Sequence, residues 1–132
     1  MGFDPRALPE EVLAFLAERH LATLTTIGVG GRLHVVAVGF AFDAPEGVVR
    51  IITGAASQKA ANARRGGRAA VGQVDGARWL SLEGPVTLSD DPARVAAAVA
   101  AYTARYRPPG ENPTRVAIEI AVERVLGRAA RP

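Results

Sequence analysis

A chain of 132 residues with 48% apolar content has enough mass for one domain with a true core, and residues 1–132 are read as a single unit. Sixteen basic residues against thirteen acidic ones leave a formal charge of +3, spread along the chain. With only 5% aromatic residues, this gives no basic stripe with stacking side chains for nucleic acid. Cysteine is absent and His20 and His34 are the only histidines, which excludes thiol nucleophiles, disulfides and thiolate metal sites; no metal is expected.

The first helix is expected from Pro9, with Glu10 and Glu11 in its acidic first turn and Val12, Leu13 and Leu16 as its apolar stripe, ending near Arg19. Residues 20–27 ("HLATLTTI") and 33–43 ("LHVVAVGFAFD") read as two strands of a hairpin around "GVGG". "APEG" turns the chain into a third strand at 48–53, a short helix follows at 58–65 and stops at Gly66 and Gly67, and 69–75 is a fourth strand. Residues 78–88 alternate, with Leu80, Leu82, Val86 and Leu88 on one face and Trp79, Ser81, Glu83 and Thr87 on the other. Asp91 is placed to cap a helix opening at Pro92, on which Val95, Val99, Tyr102 and Tyr106 share a stripe; "RPPGENP" ends it. The last strand sets Val116, Ile118, Ile120 and Val122 against a wet face of Ala117, Glu119, Ala121 and Glu123.

Six strands and three short helices, joined mostly by tight turns, predict a mainly β (α+β) fold: an antiparallel sheet closed into a small barrel. No apolar stretch approaches the roughly 20 residues of a membrane span, and the N-terminus lacks the pattern of a signal peptide, so a cytoplasmic protein without membrane contact is expected.

Local motifs leave few routes to chemistry. "GVGG" lacks the third glycine and the helix of a dinucleotide loop, and Gly54 to Lys59 lacks the Gly-Lys-Ser/Thr ending of a Walker loop. "GAASQKAANARRGG" holds Lys59, the single lysine; Ser57, Gln58, Lys59 and Asn62 gather at a helix start, where either a phosphate site or a capped, solvated helix fits the spacing. Arg64, Arg65 and Arg68 read as a solvated helix end. Trp79 fits a pocket, a subunit interface or the core, and His20 and His34 sit at strand starts, where a structural histidine is favoured over a catalytic or haem-ligating one. Without a serine–histidine–acid arrangement, hydrolysis has no support.

The segments "ERHLATLTT", "HVVAVGFAFD", "GAASQKAANA", "QVDGARWLSLEG" and "VAIEIAVERVLG", in this order, resemble the pyridoxamine phosphate oxidase-like split β-barrel family of flavin and deazaflavin proteins, and within it the actinobacterial branch that reduces biliverdin with coenzyme F420. The resemblance implies a six-stranded split barrel, a homodimer with sites at the subunit interface, and a small conjugated tetrapyrrole as substrate. It also implies cofactor contacts. Ser57, Gln58, Lys59 and Asn62 would meet the cofactor phosphate; His34, Val36, Ala37, Val38, Ile52 and Thr53 would line the ring and ribityl chain; Arg78 and Trp79 would stand where the partner closes over the site. The implied chemistry is direct hydride transfer to the central carbon of the open tetrapyrrole, with no catalytic protein nucleophile, the proton coming from solvent and Arg78 the first candidate for the propionates. Two alternatives remain, an FMN-dependent oxidase and a non-enzymatic haem or tetrapyrrole binder. FMN enzymes of the family carry a basic residue at each end of the second strand, whereas here Arg32 and His34 stand at one end and Gly39 at the other.

Overall fold

The computed structural model describes residues 2–130. Its strands are β1 (Gly2–Phe3), β2 (Ala22–Ile27), β3 (Leu33–Val38), β4 (Ala41–Asp43), β5 (Val48–Gly54), β6 (Arg68–Asp75), β7 (Arg78–Ser89), β8 (Arg115–Ala121) and β9 (Arg124–Arg128). Three helices, α1 (Glu10–Ala17), α2 (Gln58–Arg64) and α3 (Pro92–Arg105), stand where the sequence places them. Every strand pair is antiparallel, in the order β3-β2-β6-β7-β8-β5-β4, with β9 added to β7 and β1 to β9.

Nine strands replace the expected six because two long strands change partners midway and the short β1 is added before α1. The stretch 33–43 pairs with β2 as far as Val38, then with β5 from Ala41. Gly39 marks the change. A Cβ there would lie 3.0 Å from the Tyr106 ring and 3.2 Å from that of Tyr102, so the two tyrosines use the space that a side chain would need. The last strand breaks at Val122 and Glu123, its first half pairing with β5 and β7 and its second with β7 and β1. Gly84 permits this crossing, since a Cβ at that position would fall 1.8 Å from the Ala121 carbonyl oxygen. The sheet is therefore split rather than closed: β3 and β4 end the hydrogen-bonded series and are joined through the chain at Gly39 and Phe40, with no ladder between them.

The core lies inside this curl, with Phe15, Phe40, Leu24, Ile51, Leu80, Leu82, Ile118 and Ile120 fully buried. The stripe of α1 is Val12, Phe15 and Leu16, at i, i+3 and i+4; Leu13, expected on it, is rotated outward and 37% exposed. Of the face expected to be wet, Ala121 and Glu123 are exposed, but Ala117 and Glu119 are buried where α3 packs on β8, and Glu119 accepts hydrogen bonds from Arg50 Nε (3.2 Å) and Arg94 Nε (2.8 Å). Asp91 occupies the N-cap of α3 through its carbonyl, which receives Val95 N–H at 2.9 Å, and its side chain makes no capping bond. Among the described residues no helix is long and apolar enough to cross a membrane.

Candidate functional site

β5 ends at Gly54 and the chain turns directly into α2. Ser57, the N-cap of α2, accepts Ala60 N–H at 3.2 Å, and its hydroxyl also accepts a hydrogen bond from Thr53 Oγ1 at 3.0 Å. Lys59, one residue into the helix, is half-buried and makes no ion pair among the described residues.

A cavity of about 280 Å³ brings five of the sequence-predicted residues together: Ala37 and Val38 of β3, Ile52 and Thr53 of β5, and Lys59. Gly39, Tyr102, Asn112 and Arg115 complete much of its wall. The sequence reading assigned these last four no ligand-facing role, because Tyr102 looked like one member of a helix stripe and "RPPGENP" only like a helix stop. The signal that marks them is the break itself, which brings polar Asn112 and basic Arg115 back beside β5, where Gly54 pairs with Arg115.

Three further predicted residues, His34, Gln58 and Asn62, face a separate cavity of about 770 Å³ under the β2–β3 turn, together with Arg32. Gln58 and Lys59 are successive on α2 and point about 100° apart, so the helix start forms the wall between the two cavities. Asn62 is buried, donating from Nδ2 to Thr26 Oγ1 (3.0 Å) and accepting from Gln58 Nε2 (2.8 Å). His34 Nδ1 is buried with no hydrogen-bond partner among the described residues. An orphaned buried polar atom costs about 1–3 kcal/mol, a cost that a bound polar group would relieve. Val36 and Ser57 line neither cavity, lying on β3 and at the α2 cap between the residues that do.

Arg78 and Trp79 lie elsewhere. Arg78 shares the buried face of β7 with Leu80 and Leu82; its guanidinium stacks 4.2 Å from the Phe15 ring centroid, donates two 2.8 Å bonds to the Glu18 carboxylate and also bonds Asp75. Arg78 is buried and its guanidinium is engaged by Glu18 and Asp75 inside the chain, which argues against its expected role at the site mouth. Arg78, and secondly His20, hold the Glu18 carboxyl down at about 2. Glu18, His20 and Asp75 place ligand-type atoms within 4.8 Å of one another, but Arg78 occupies both carboxylates. Trp79 stands on the outer sheet face opposite Val74 and Arg128, 37% exposed and not in the core.

A second internal network fixes Tyr106, which packs against the cavity's Tyr102. Arg105 donates to Glu18 O (2.8 Å), Phe40 O (2.6 Å) and Gln73 Oε1 (2.5 Å), and lies over the rings of Phe40 and Tyr106. Tyr106 donates to His20 O at 2.6 Å and accepts Phe40 N–H at 3.3 Å, while burial pushes its phenol up from the ordinary value.

The sequence profile described as Pyridoxamine 5'-phosphate oxidase matches residues 8–129. An F420H(2)-dependent biliverdin reductase of Mycobacterium tuberculosis (strain CDC 1551 / Oshkosh) is 54% identical over 122 residues, covering 92% of this chain and 89% of that protein. The crystal structure of the conserved hypothetical protein Rv2991 from Mycobacterium tuberculosis superposes with a TM-score of 0.78 at 27% identity, covering 93% of this chain and 86% of that one. A structure named F420 Reductase gives a TM-score of 0.73 at 26% identity, over 90% of this chain and 98% of the other.

Proposed function

This chain belongs to the pyridoxamine 5'-phosphate oxidase family, and from that membership we infer that it is a reductase passing hydride from reduced coenzyme F420 to biliverdin or a related open tetrapyrrole. The observation that carries this reading is 54% identity, over nearly the whole chain, to an enzyme with that cofactor and substrate. The protein is an enzyme and its cofactor is F420. Gly39 supports the preference over FMN: the position where the FMN enzymes resembled here carry a base is filled by the Tyr102 and Tyr106 rings.

Bound reduced F420 supplies a hydride, and the chain supplies binding, orientation and the exclusion of water. Lys59 is the cation for the phosphate, and Ser57, outside the cavity, caps the helix that carries it. Ala37, Val38, Ile52 and Thr53 flank the ring and its side chain, and His34, Gln58 and Asn62 offer polar contacts across the start of α2. The wall described around Lys59 carries hydroxyl, amide and cationic groups but no carboxyl, so the proton accompanying the hydride comes from solvent.

The active form is a homodimer. The outer face of β2, β3, β6 and β7 carries Ile27 opposite Leu33, Val74 opposite Trp79, and Val35 opposite Thr25; Leu33, Val35 and Val74 are each more than half exposed. A second copy of the same sheet face removes this apolar surface from water. A cytoplasmic location belongs to the same proposal, because a diffusible two-electron carrier has to be re-reduced between turnovers.

The deciding experiment titrates the protein with F420 and with FMN, then follows loss of biliverdin absorbance with reduced F420 and separately with nicotinamide cofactors. Tight F420 binding and turnover only with reduced F420 are expected. Preferred retention of FMN, or equal reduction by nicotinamides alone, refutes the reading.

A further inference from the structure

Beside the cavity that Lys59 lines is another of about 320 Å³, walled by Arg19, His20, Leu21, Tyr102, Tyr106 and Arg107. The two share Tyr102. One side of this residue thus faces the proposed cofactor space and the other a cleft with two arginines. Arg19 and Arg107 are exposed, and neither forms an ion pair among the described residues. Glu18, next to Arg19 in sequence, and Asp75 are already held by Arg78.

The mounting of these arginines is rigid although their tips are free. Arg19 lies between Glu18, whose carbonyl accepts Arg105 Nε at 2.8 Å, and His20, whose carbonyl accepts the Tyr106 hydroxyl at 2.6 Å. Arg107 follows Tyr106 directly. The same pair of bonds thus ties the end of α1 to the end of α3 and sets both cations around one cleft. Its aromatic wall is the Tyr102–Tyr106 pair, with centroids 5.0 Å apart and tilted by 36°, a surface for a flat conjugated ring.

We propose that this cleft is a carboxylate subsite, in which Arg19 and Arg107 take the propionates of the open tetrapyrrole and Tyr102 joins the subsite to the reducing cavity. The proposal rests on the activity inferred above. A biliverdin-type substrate carries its two propionates on the inner pyrroles, flanking the central carbon that is reduced. Holding both carboxylates therefore sets the position of that carbon, whereas an uncharged flat molecule of the same size slides freely. Arginine suits the task, because its planar fork binds a carboxylate through two parallel hydrogen bonds. The subsite explains how an otherwise permissive aromatic cleft selects dicarboxylic bilins.

The test measures biliverdin and biliverdin dimethyl ester binding by difference absorbance, without cofactor, for the parent, Arg19→Ala, Arg107→Ala, both together, Arg107→Lys, and Arg6→Ala as an exposed-arginine control. Each alanine variant should weaken diacid binding by about 5- to 10-fold, between the worth of an exposed ion pair and that of a charge-assisted hydrogen bond; Arg107→Lys should recover part of the loss. The ester should bind the parent weakly and respond to none of the substitutions. The cofactor's acidic tail is the other possible source of carboxylates, so F420 with and without its glutamyl tail is titrated against the same variants. Unchanged diacid affinity in the double variant overturns the proposal, as does a loss confined to tailed F420. Turnover of biliverdin by the parent with reduced F420, measured in parallel, tests the activity independently of the subsite.

Discussion

Lys59→Ala separates a cofactor site from a capped surface helix. Lys59 is half-buried at the cavity wall and has no carboxylate partner in the described chain, so its removal breaks no ion pair and leaves no buried charge behind. Folding should therefore change by less than about 0.5 kcal/mol in urea titration. Binding should change much more, because a charged hydrogen bond to phosphate is worth roughly 1.5–3 kcal/mol, or about a 10- to 150-fold loss of F420 affinity. Lys59→Arg should restore part of it, the charge being kept and the compact ammonium lost. Ser57→Ala is the internal comparison: it removes the cap bond to Ala60 N–H and the acceptor for Thr53, so it should lower stability by about 1 kcal/mol and also weaken binding. Fluorescence titration with F420 reads affinity and urea denaturation reads stability. If Lys59→Ala binds F420 as tightly as the parent, Gly54 to Gly67 is only a capped helix and the phosphate assignment is refuted.

Other substitutions test the frame around that site. Gly39→Arg, which supplies the base that FMN enzymes of the family carry, should displace Tyr102 and Tyr106, cost about 1–3 kcal/mol in denaturant titration and confer no FMN binding; gained FMN affinity would show that the glycine is not occupied as described. Tyr106→Phe removes the bonds to His20 O and Phe40 N–H and should destabilise by about 1–2 kcal/mol, measured by thermal and urea unfolding. Glu18, held at about 2 by Arg78 and His20, contributes stability that is complete above its ordinary value of 4.5 and is lost as pH falls toward 2. For this part-exposed carboxyl the loss should be about 1 kcal/mol, and Glu18→Gln should lack that pH-dependent step. Val35→Glu on the outer sheet face should halve the mass seen by light scattering, and an unchanged mass would remove that face as the dimer contact.

Period-two alternation made β7 legible, including a consequence that the resemblance obscured. Positions 78, 80 and 82 share parity, so Arg78 lies on the inward face with Leu80 and Leu82, a placement the sequence reading did not make; there it stacks on Phe15 and binds Glu18. Its partner arrives from 60 residues away, and no local pattern announces such a contact. The burial of Ala117 and Glu119 on β8 was hidden for the same reason: Glu119 looks solvated by alternation, yet Arg50 of β5 and Arg94 of α3 converge on it.

The site shows where local reading stops. Ser57, Lys59 and Asn62 are close in sequence and could be grouped on sight, yet only Lys59 reaches the wall that Tyr102, Asn112 and Arg115 join after α3 folds back over β5, while Asn62 faces the neighbouring cavity. Gly39 connects the two kinds of information. In the sequence it is a missing basic residue, a negative mark against FMN. In the structure its missing Cβ is what lets Tyr102 and Tyr106 approach the backbone, and Tyr106 in turn anchors the segments carrying Arg19 and Arg107. One absent side chain thus argues against one cofactor and makes room for the aromatic wall against which the substrate is proposed to lie.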